Sequence, residues 1–264
     1  MRNQLGSPIK GSICLCMSSD IQDEIIDTES LPGSGTLSRL ATYKVDGDSN
    51  QHDFTFVVSQ GSVVDFAYGE YAELGGYTKK SVIVNAANKN CLGGCGVDGA
   101  INRLGGEQLT LDRRALKLIE PGVRCQTGDA RITGPCKPSY GNLHVQYVIH
   151  AVGPNYKDYK HKTLEADQLL HAAYTQSLEL AKEHGINAIG FSLISAGSYR
   201  HDKPLEDVLR IAVEAVHDFD GYESLEEIHF CAFTSQEAAV LLSVSDQVFS
   251  KIHHEDEAHV TDIQ

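Results

Sequence analysis

Apolar residues gather in short runs along this chain, and between the runs they return with helical spacing. Ser81 to Ala87 carries Val82, Ile83 and Val84 at its centre; Val145 to Ala151, Ala188 to Ile194 and Ile228 to Phe233 are runs of the same kind. Such runs predict buried strands. Ala100 to Ile119, Leu164 to His184, Leu205 to Phe219 and Gln236 to Phe249 predict helices. In the second of these, Leu170, Tyr174, Leu178 and Ala181 share one stripe, which predicts a face packed on a sheet, and Gly185 marks its end. Strands that alternate with helices need crossover connections. The expected fold is therefore α/β, a three-layer α/β/α domain with a mixed, largely parallel central sheet. Upstream, Tyr43 to Val45 and Phe54 to Val58 flank a polar turn at Asp46 to Asn50 and predict an antiparallel edge. Residues 1–42, rich in Ser, Gly, Asp and Pro with one short apolar run at Ile13 to Met17, read as a flexible arm. Residues 43–250 read as the folded domain. From Lys251, His and acidic residues mix without periodicity, so 251–264 read as a tail.

Composition narrows the chemistry. The net charge is −14 over 264 residues and no dense Lys/Arg cluster occurs, so a nucleic-acid backbone is a poor partner and an anionic ligand has to be held locally. No apolar stretch approaches the roughly 20 residues of a membrane span, and the N-terminal residues lack the apolar region of a signal peptide. A soluble, intracellular protein of cytoplasm or nucleus is expected. Seven cysteines are too few and odd in number for a disulfide framework. Neither Cys14 with Cys16 nor Cys91 with Cys95 is followed by a matching second pair, so no zinc site is expected.

The chemistry concentrates in residues 84–106, VNAANKNCLGGCGVDGAINRLGG. A strand ends in Asn85 and Asn88. Gly93, Gly94, Gly96 and Gly99 then let the backbone turn and aim N–H groups at an anion. A helix opening near Asp98 adds its positive dipole end, so diphosphate is the first ligand to consider. Gly94, Gly96 and Gly99 also fit the GxGxxG spacing of a Rossmann site. The polar stretch Ala87 to Gly94 separates strand from helix, however, and Glu120, placed before Pro121, is not the acid that closes a second strand. Ser195 to Tyr199, SAGSY, is either a second anion-cradling loop or a tight strand-to-helix turn. Asn88 either braces its loop or contacts a ligand, with Asn85 structural; Asp98 is a helix cap, a water-orienting base, or both. Phe233 either stacks on a base or belongs to the core. His150, mid-strand, is an interior histidine, and Ser195 has no His/Asp partners at useful spacing for a triad.

Together with CQTGDARITG (Cys125 to Gly134), YVIHAVGP (Tyr147 to Pro154) and ISAGSY (Ile194 to Tyr199), this segment resembles the macrodomain signature. The likeness is to the MacroD-like class that acts on ADP-ribose; its motifs follow the family's order over roughly residues 55–250. The resemblance implies ADP-ribose or O-acetyl-ADP-ribose as ligand. Its diphosphate would lie against Gly93, Gly94, Cys95, Gly96 and Val97 on one side and Ser195, Ala196, Gly197, Ser198 and Tyr199 on the other. Asn88 would bond the distal ribose, Tyr199 would cover it, and Asp98 would orient water. The implied reaction removes mono-ADP-ribose from acidic side chains of proteins, or deacetylates O-acetyl-ADP-ribose, by a monomer that needs no metal or redox cofactor. Two positions depart from the pattern. Asn102 stands where the family usually has histidine, so the implied catalytic set is Asp98, Asn88 and Asn102. Ser62 stands where similar proteins carry an aspartate that accepts from adenine; Asp65 lies three residues on, and Ala67 to Lys80 look inserted. RHDKP replaces the family's usual continuation after Tyr199. The alternative function is a module that reads ADP-ribose without cleaving it.

Overall fold

The predicted strands pair into one seven-stranded sheet in the order β1-β2-β9-β8-β5-β7-β6. The structure, a computed structural model, describes residues 37–45, 53–69, 71–72 and 76–260. The strands are β1 (Ser38–Val45), β2 (Phe54–Gln60), β5 (Ser81–Ala86), β6 (Ala130–Thr133), β7 (Tyr147–Ala151), β8 (Ala188–Ser192) and β9 (Glu227–Ala232); β3 (Tyr71–Ala72) and β4 (Gly76–Tyr77) form a separate small pair. The helices are α1 (Gly96–Ala115), α2 (Thr163–Glu183), α3 (Leu205–His217) and α4 (Ser235–Val260). From β2 through β9, β8 and β5 to β7 every neighbour is parallel, and β1 and β6 close the two edges antiparallel.

Alternation along the strands builds the layers. Val82, Val84, Ile149, Phe191 and Phe230 point to one face and meet α2, α3 and α4 in the larger core. Ile83 and Val148 point to the other and meet Ile101 and Leu109 of α1. The stripe Leu170, Tyr174, Leu178 and Ala181 on α2 is fully buried, as its spacing predicts.

Four elements depart most from the pattern. β1 starts at Ser38, inside the stretch read as an arm; most of its residues are exposed, so an edge strand leaves little apolar signal. β6 has one large apolar residue, Ile132, in four, too short a run to register as a strand. α1 opens at Gly96 and stops at Ala115 rather than continuing to Ile119. α4 runs on to Val260 rather than ending at Phe249; no glycine or proline interrupts 250–260, so no breaker stops the helix. The apolar run Ile13 to Met17 lies outside the described residues.

Gly190 shows how closely the α1 face is packed. A Cβ there would lie 2.7 to 3.0 Å from atoms of the Phe66 ring, and that ring is itself buried. Gly190→Ala should therefore destabilise the fold by about 1–3 kcal/mol, read as a lower midpoint in chemical denaturation; an unchanged midpoint would show that Phe66 gives way freely.

Candidate functional site

The loops that leave the carboxyl ends of β5 and β8 lie side by side because those strands pair. In open α/β sheets this edge is where ligands bind. The loop after β5 turns through positive φ at Cys91 (56°), Gly93 (115°) and Gly96 (59°), conformations that glycine adopts without steric cost. It lies directly on the start of α1: a Cβ on Gly99 would sit 2.5 Å from the Gly94 carbonyl oxygen. The residue capping α1 is Cys95, and its side chain makes no capping bond. The N–H groups of the first turn have no partner inside the helix.

Asp98 is not the cap. It is the third residue of α1 and 3% exposed. Its Oδ1 accepts from Arg113 Nη2 at 2.7 Å and from Asn85 Nδ2 at 2.7 Å. Its Oδ2 is buried with no partner, as is Oδ1 of Asn88. A Cβ on Gly94 would lie 3.1 Å from Asp98 Oδ2 and 3.2 Å from Asn88 Nδ2, so the glycine leaves room beside both groups. Asn88 Nδ2 also donates to the Gly93 carbonyl at 3.0 Å, so this asparagine does brace its loop.

Arg113 ties these parts together. It is fully buried; Nε donates to the Cys91 carbonyl at 2.5 Å, and Nη1 reaches Asn102 Oδ1 at 3.4 Å. In one straight helix, residues fifteen apart would be separated by about 22 Å along the axis, far beyond an arginine's reach. The contact exists because α1 is two helical stretches joined at Gly106, whose backbone (φ 69°, ψ −160°) is non-helical. Sequence reasoning missed Arg113, since a charged residue on a helix reads as solvent-facing. The signals were there in the glycine pair Gly105 and Gly106 and in the arginine pair beyond it.

Behind the carboxylate, Asn85 Nδ2 also meets His150 Nδ1 at 3.2 Å, and His150 Nε2 meets Thr133 Oγ1 at 3.1 Å. His150 is the interior histidine its position predicts. Burial, reinforced by the nearby Arg113 charge, holds its pKa well below the ordinary value. Cys91 and Cys125 are buried free thiols that donate to backbone carbonyls, Cys91 to Asn88 at 3.6 Å and Cys125 to Gln126 at 3.6 Å, and the interaction between the two thiols lowers the Cys91 pKa and raises that of Cys125.

The loop after β8 answers for the remaining predicted residues. Ser195 has φ 57° and donates from Oγ to the Pro154 carbonyl at 2.8 Å; its hydroxyl is a brace, and Ala196 is buried beside it. Gly197 and Ser198 are exposed, and Tyr199 is half-buried. Burial first, then the charges of Asp158 and Asp98, raise the Tyr199 phenol. Further along the edge, Gly61 N–H donates to the Ala232 carbonyl at 2.9 Å, bringing Ser62 beside Phe233. Phe233 is 53% exposed and is therefore not a core residue. Burial raises the Asp65 carboxyl, with His144 opposing. Among the described residues no cluster of His, Cys, Asp and Glu suits a metal ion, and no helix is long and apolar enough to cross a membrane.

Comparison with known proteins gives a consistent picture. The family described as Macro domain matches residues 84–212. An O-acetyl-ADP-ribose deacetylase of Escherichia fergusonii is 42% identical over 156 residues, which is 59% of this chain and 81% of that protein. The Oceanobacillus iheyensis macrodomain with ADP superposes with a TM-score of 0.63 at 26% identity, covering 80% of this chain and 98% of that one. The Trypanosoma brucei macrodomain in complex with ADP-ribose gives 0.53 at 30% identity, over 71% and 68%.

Two outcomes follow from the buried network. Arg113→Met leaves Asp98 buried without its counter-charge and should cost about 3–5 kcal/mol, measured by urea unfolding; a loss within a few tenths would mean that the pair is dispensable. His150 stays neutral in the fold, whereas the unfolded chain takes up a proton near pH 6.5, to order of magnitude. The folded pKa being the lower one, its contribution to stability is complete above that pH and declines as pH falls below it. His150→Gln should flatten the decline below about pH 6.5, followed down to about pH 5; equal slopes in the two proteins would exclude the histidine as its source.

Proposed function

The chain belongs to the macro domain family, and on that footing we propose that it binds ADP-ribose along the carboxyl edge of the sheet and hydrolyses an ester at the distal ribose. The substrates would be proteins carrying mono-ADP-ribose on an acidic side chain, O-acetyl-ADP-ribose, or both; in each a carboxylic acid is esterified to the same sugar. The name of the Escherichia fergusonii relative and the ligand of the Trypanosoma brucei structure support that choice. The diphosphate rests between the loop Gly93, Gly94, Cys95, Gly96 and Val97 and the loop Ser195 to Tyr199, facing the start of α1. Backbone N–H groups and the helix dipole hold an anion there, as a chain of net charge −14 requires. Adenine lies at Ser62 and Phe233, whose exposed ring is free to stack.

The observation that carries this reading is the buried, unpartnered Oδ2 of Asp98 beside the unpartnered Oδ1 of Asn88. Buried acceptors of this kind are costly unless a donor arrives. A ribose hydroxyl for Asn88 and a water for Asp98 supply the missing O–H groups. With Oδ1 held by Arg113 and Asn85, the carboxylate can turn only its second oxygen to the water and so aim it. The water oxygen adds to the ester carbon, the ribose oxygen departs with a proton, and an acid and free ADP-ribose are released.

Asn102 favours the second reading, a module that binds without turnover. It cannot titrate, and its side-chain oxygen faces Arg113. The deciding assay measures ADP-ribose release from a protein mono-ADP-ribosylated on glutamate. Asp98→Asn is the variant of choice, since it leaves Arg113 an acceptor where alanine would leave a buried charge unpaired. Release should fall about a hundredfold or more with the Kd for ADP-ribose changed only a few-fold. Equal release by both proteins removes Asp98 from the mechanism; binding without release by wild type establishes the reader.

A further inference from the structure

The carboxyl edge of the sheet continues past the proposed ribose position. Beyond β5 the sheet order runs to β7 and then β6, and the loops at this end enclose a cavity of about 800 Å³. Of the residues predicted to hold the ligand, only Asn88 and Tyr199 line it; neither the glycines after β5 nor Ser62 and Phe233 do. The cavity therefore joins the cleft at its ribose end. Tyr199 marks the junction, sharing the cavity wall with Asn88 and Asp158.

We propose that this cavity is an acceptor subsite: it receives the stretch of polypeptide to which the ribose is esterified, and Lys89 and Asp158 select the charged residues flanking the modified side chain. The inference rests on the placement of ADP-ribose proposed above, with its distal ribose at Asn88.

Three features support it. The first is size, because about 800 Å³ is room for a complete ligand in its own right, whereas an acetyl group would leave nearly all of it empty. The second is the pattern of charge. Lys162 and Glu165 on the wall pair with each other at 3.1 Å, while the exposed Lys89 and Asp158 form no ion pair among the described residues. One uncommitted cation and one uncommitted anion suit a polypeptide with both kinds of neighbour. A nucleotide polymer would press phosphates against Asp158 and Glu165. The third is hydrogen bonding. Asn90 and Asn155 use their side-chain oxygens locally, accepting from Leu92 N–H at 2.8 Å and Lys157 N–H at 3.3 Å. Their NH₂ groups are left to meet peptide carbonyls.

Short peptides carrying ADP-ribose through an uncleavable amide at a glutamate-like side chain, flanked by lysines or by glutamates, provide the probe. Binding to wild type, Asp158→Lys and Lys89→Glu is compared with binding of free ADP-ribose by calorimetry. Asp158→Lys should weaken the lysine-flanked conjugate about fivefold and tighten the glutamate-flanked one, and Lys89→Glu should do the reverse, the scale of one exposed charge pair. Free ADP-ribose should bind all three proteins alike. If both conjugates track free ADP-ribose in every protein, the subsite is refuted while ADP-ribose binding stands. If free ADP-ribose fails to bind wild type, the parent reading falls and takes the subsite with it.

Discussion

The site depends on one ion pair that water does not reach. Removing a guanidinium and a carboxylate from solvent is costly, and their attraction offsets that cost only when the remaining donors are also satisfied. Arg113 meets the condition by spreading its N–H groups over Asp98, the Cys91 carbonyl and Asn102. Those three acceptors belong to the start of α1, the glycine loop and the next turn of the helix. One planar side chain thus sets the relative position of the loop, the carboxylate and Asn102. The pair is better understood as a fixture than as a source of stability. It leaves a single oxygen of Asp98 uncommitted, and that restriction gives the carboxylate a direction.

Around this fixture the sheet arranges the rest. Parallel pairing from β2 to β7 puts the carboxyl ends of those strands at one edge, and under the proposed placement of the ligand the strand order becomes an order of subsites: Ser62 and Phe233 over β2 and β9, the loops after β8 and β5 at the diphosphate, the cavity over β7 and β6. An extended ligand lying across the strands meets each in turn. The strongly acidic surface is compatible with this because the anion is met by backbone dipoles at short range, and exposed charges more than about 8–10 Å away are screened at physiological salt.

Much of this was legible before any coordinates. The four helices and the buried strands announced themselves by period, since a residue that packs on a sheet must return to the same face. The glycine loop and Asp98 were legible through the order strand, asparagine, glycines, aspartate. What stayed hidden was hidden for physical reasons. Arg113 is a charged residue whose burial depends on partners remote in sequence, which no local period reports. β6 is held by its antiparallel partner β7 rather than by an apolar run of its own. The hydroxyl of Ser195 serves as a brace because of Pro154, forty-one residues away. The capping role weighed for Asp98 fails because the helix opens two residues earlier, at Gly96.

The break at Gly106 gives the site a particular vulnerability. Because α1 is two helical stretches, Arg113 and Asp98 are held in phase by the lengths of those stretches rather than by proximity in the chain. Each helical residue adds about 100° of rotation. Losing or gaining one residue between Gly106 and Arg113 would swing the guanidinium about a quarter turn away from the carboxylate. A substitution at an exposed position there can be absorbed, but a change of length cannot, so the second stretch of α1 should behave over evolution as a spacer of fixed count that keeps Leu109 in the core and Arg113 on the carboxylate while its exposed positions drift.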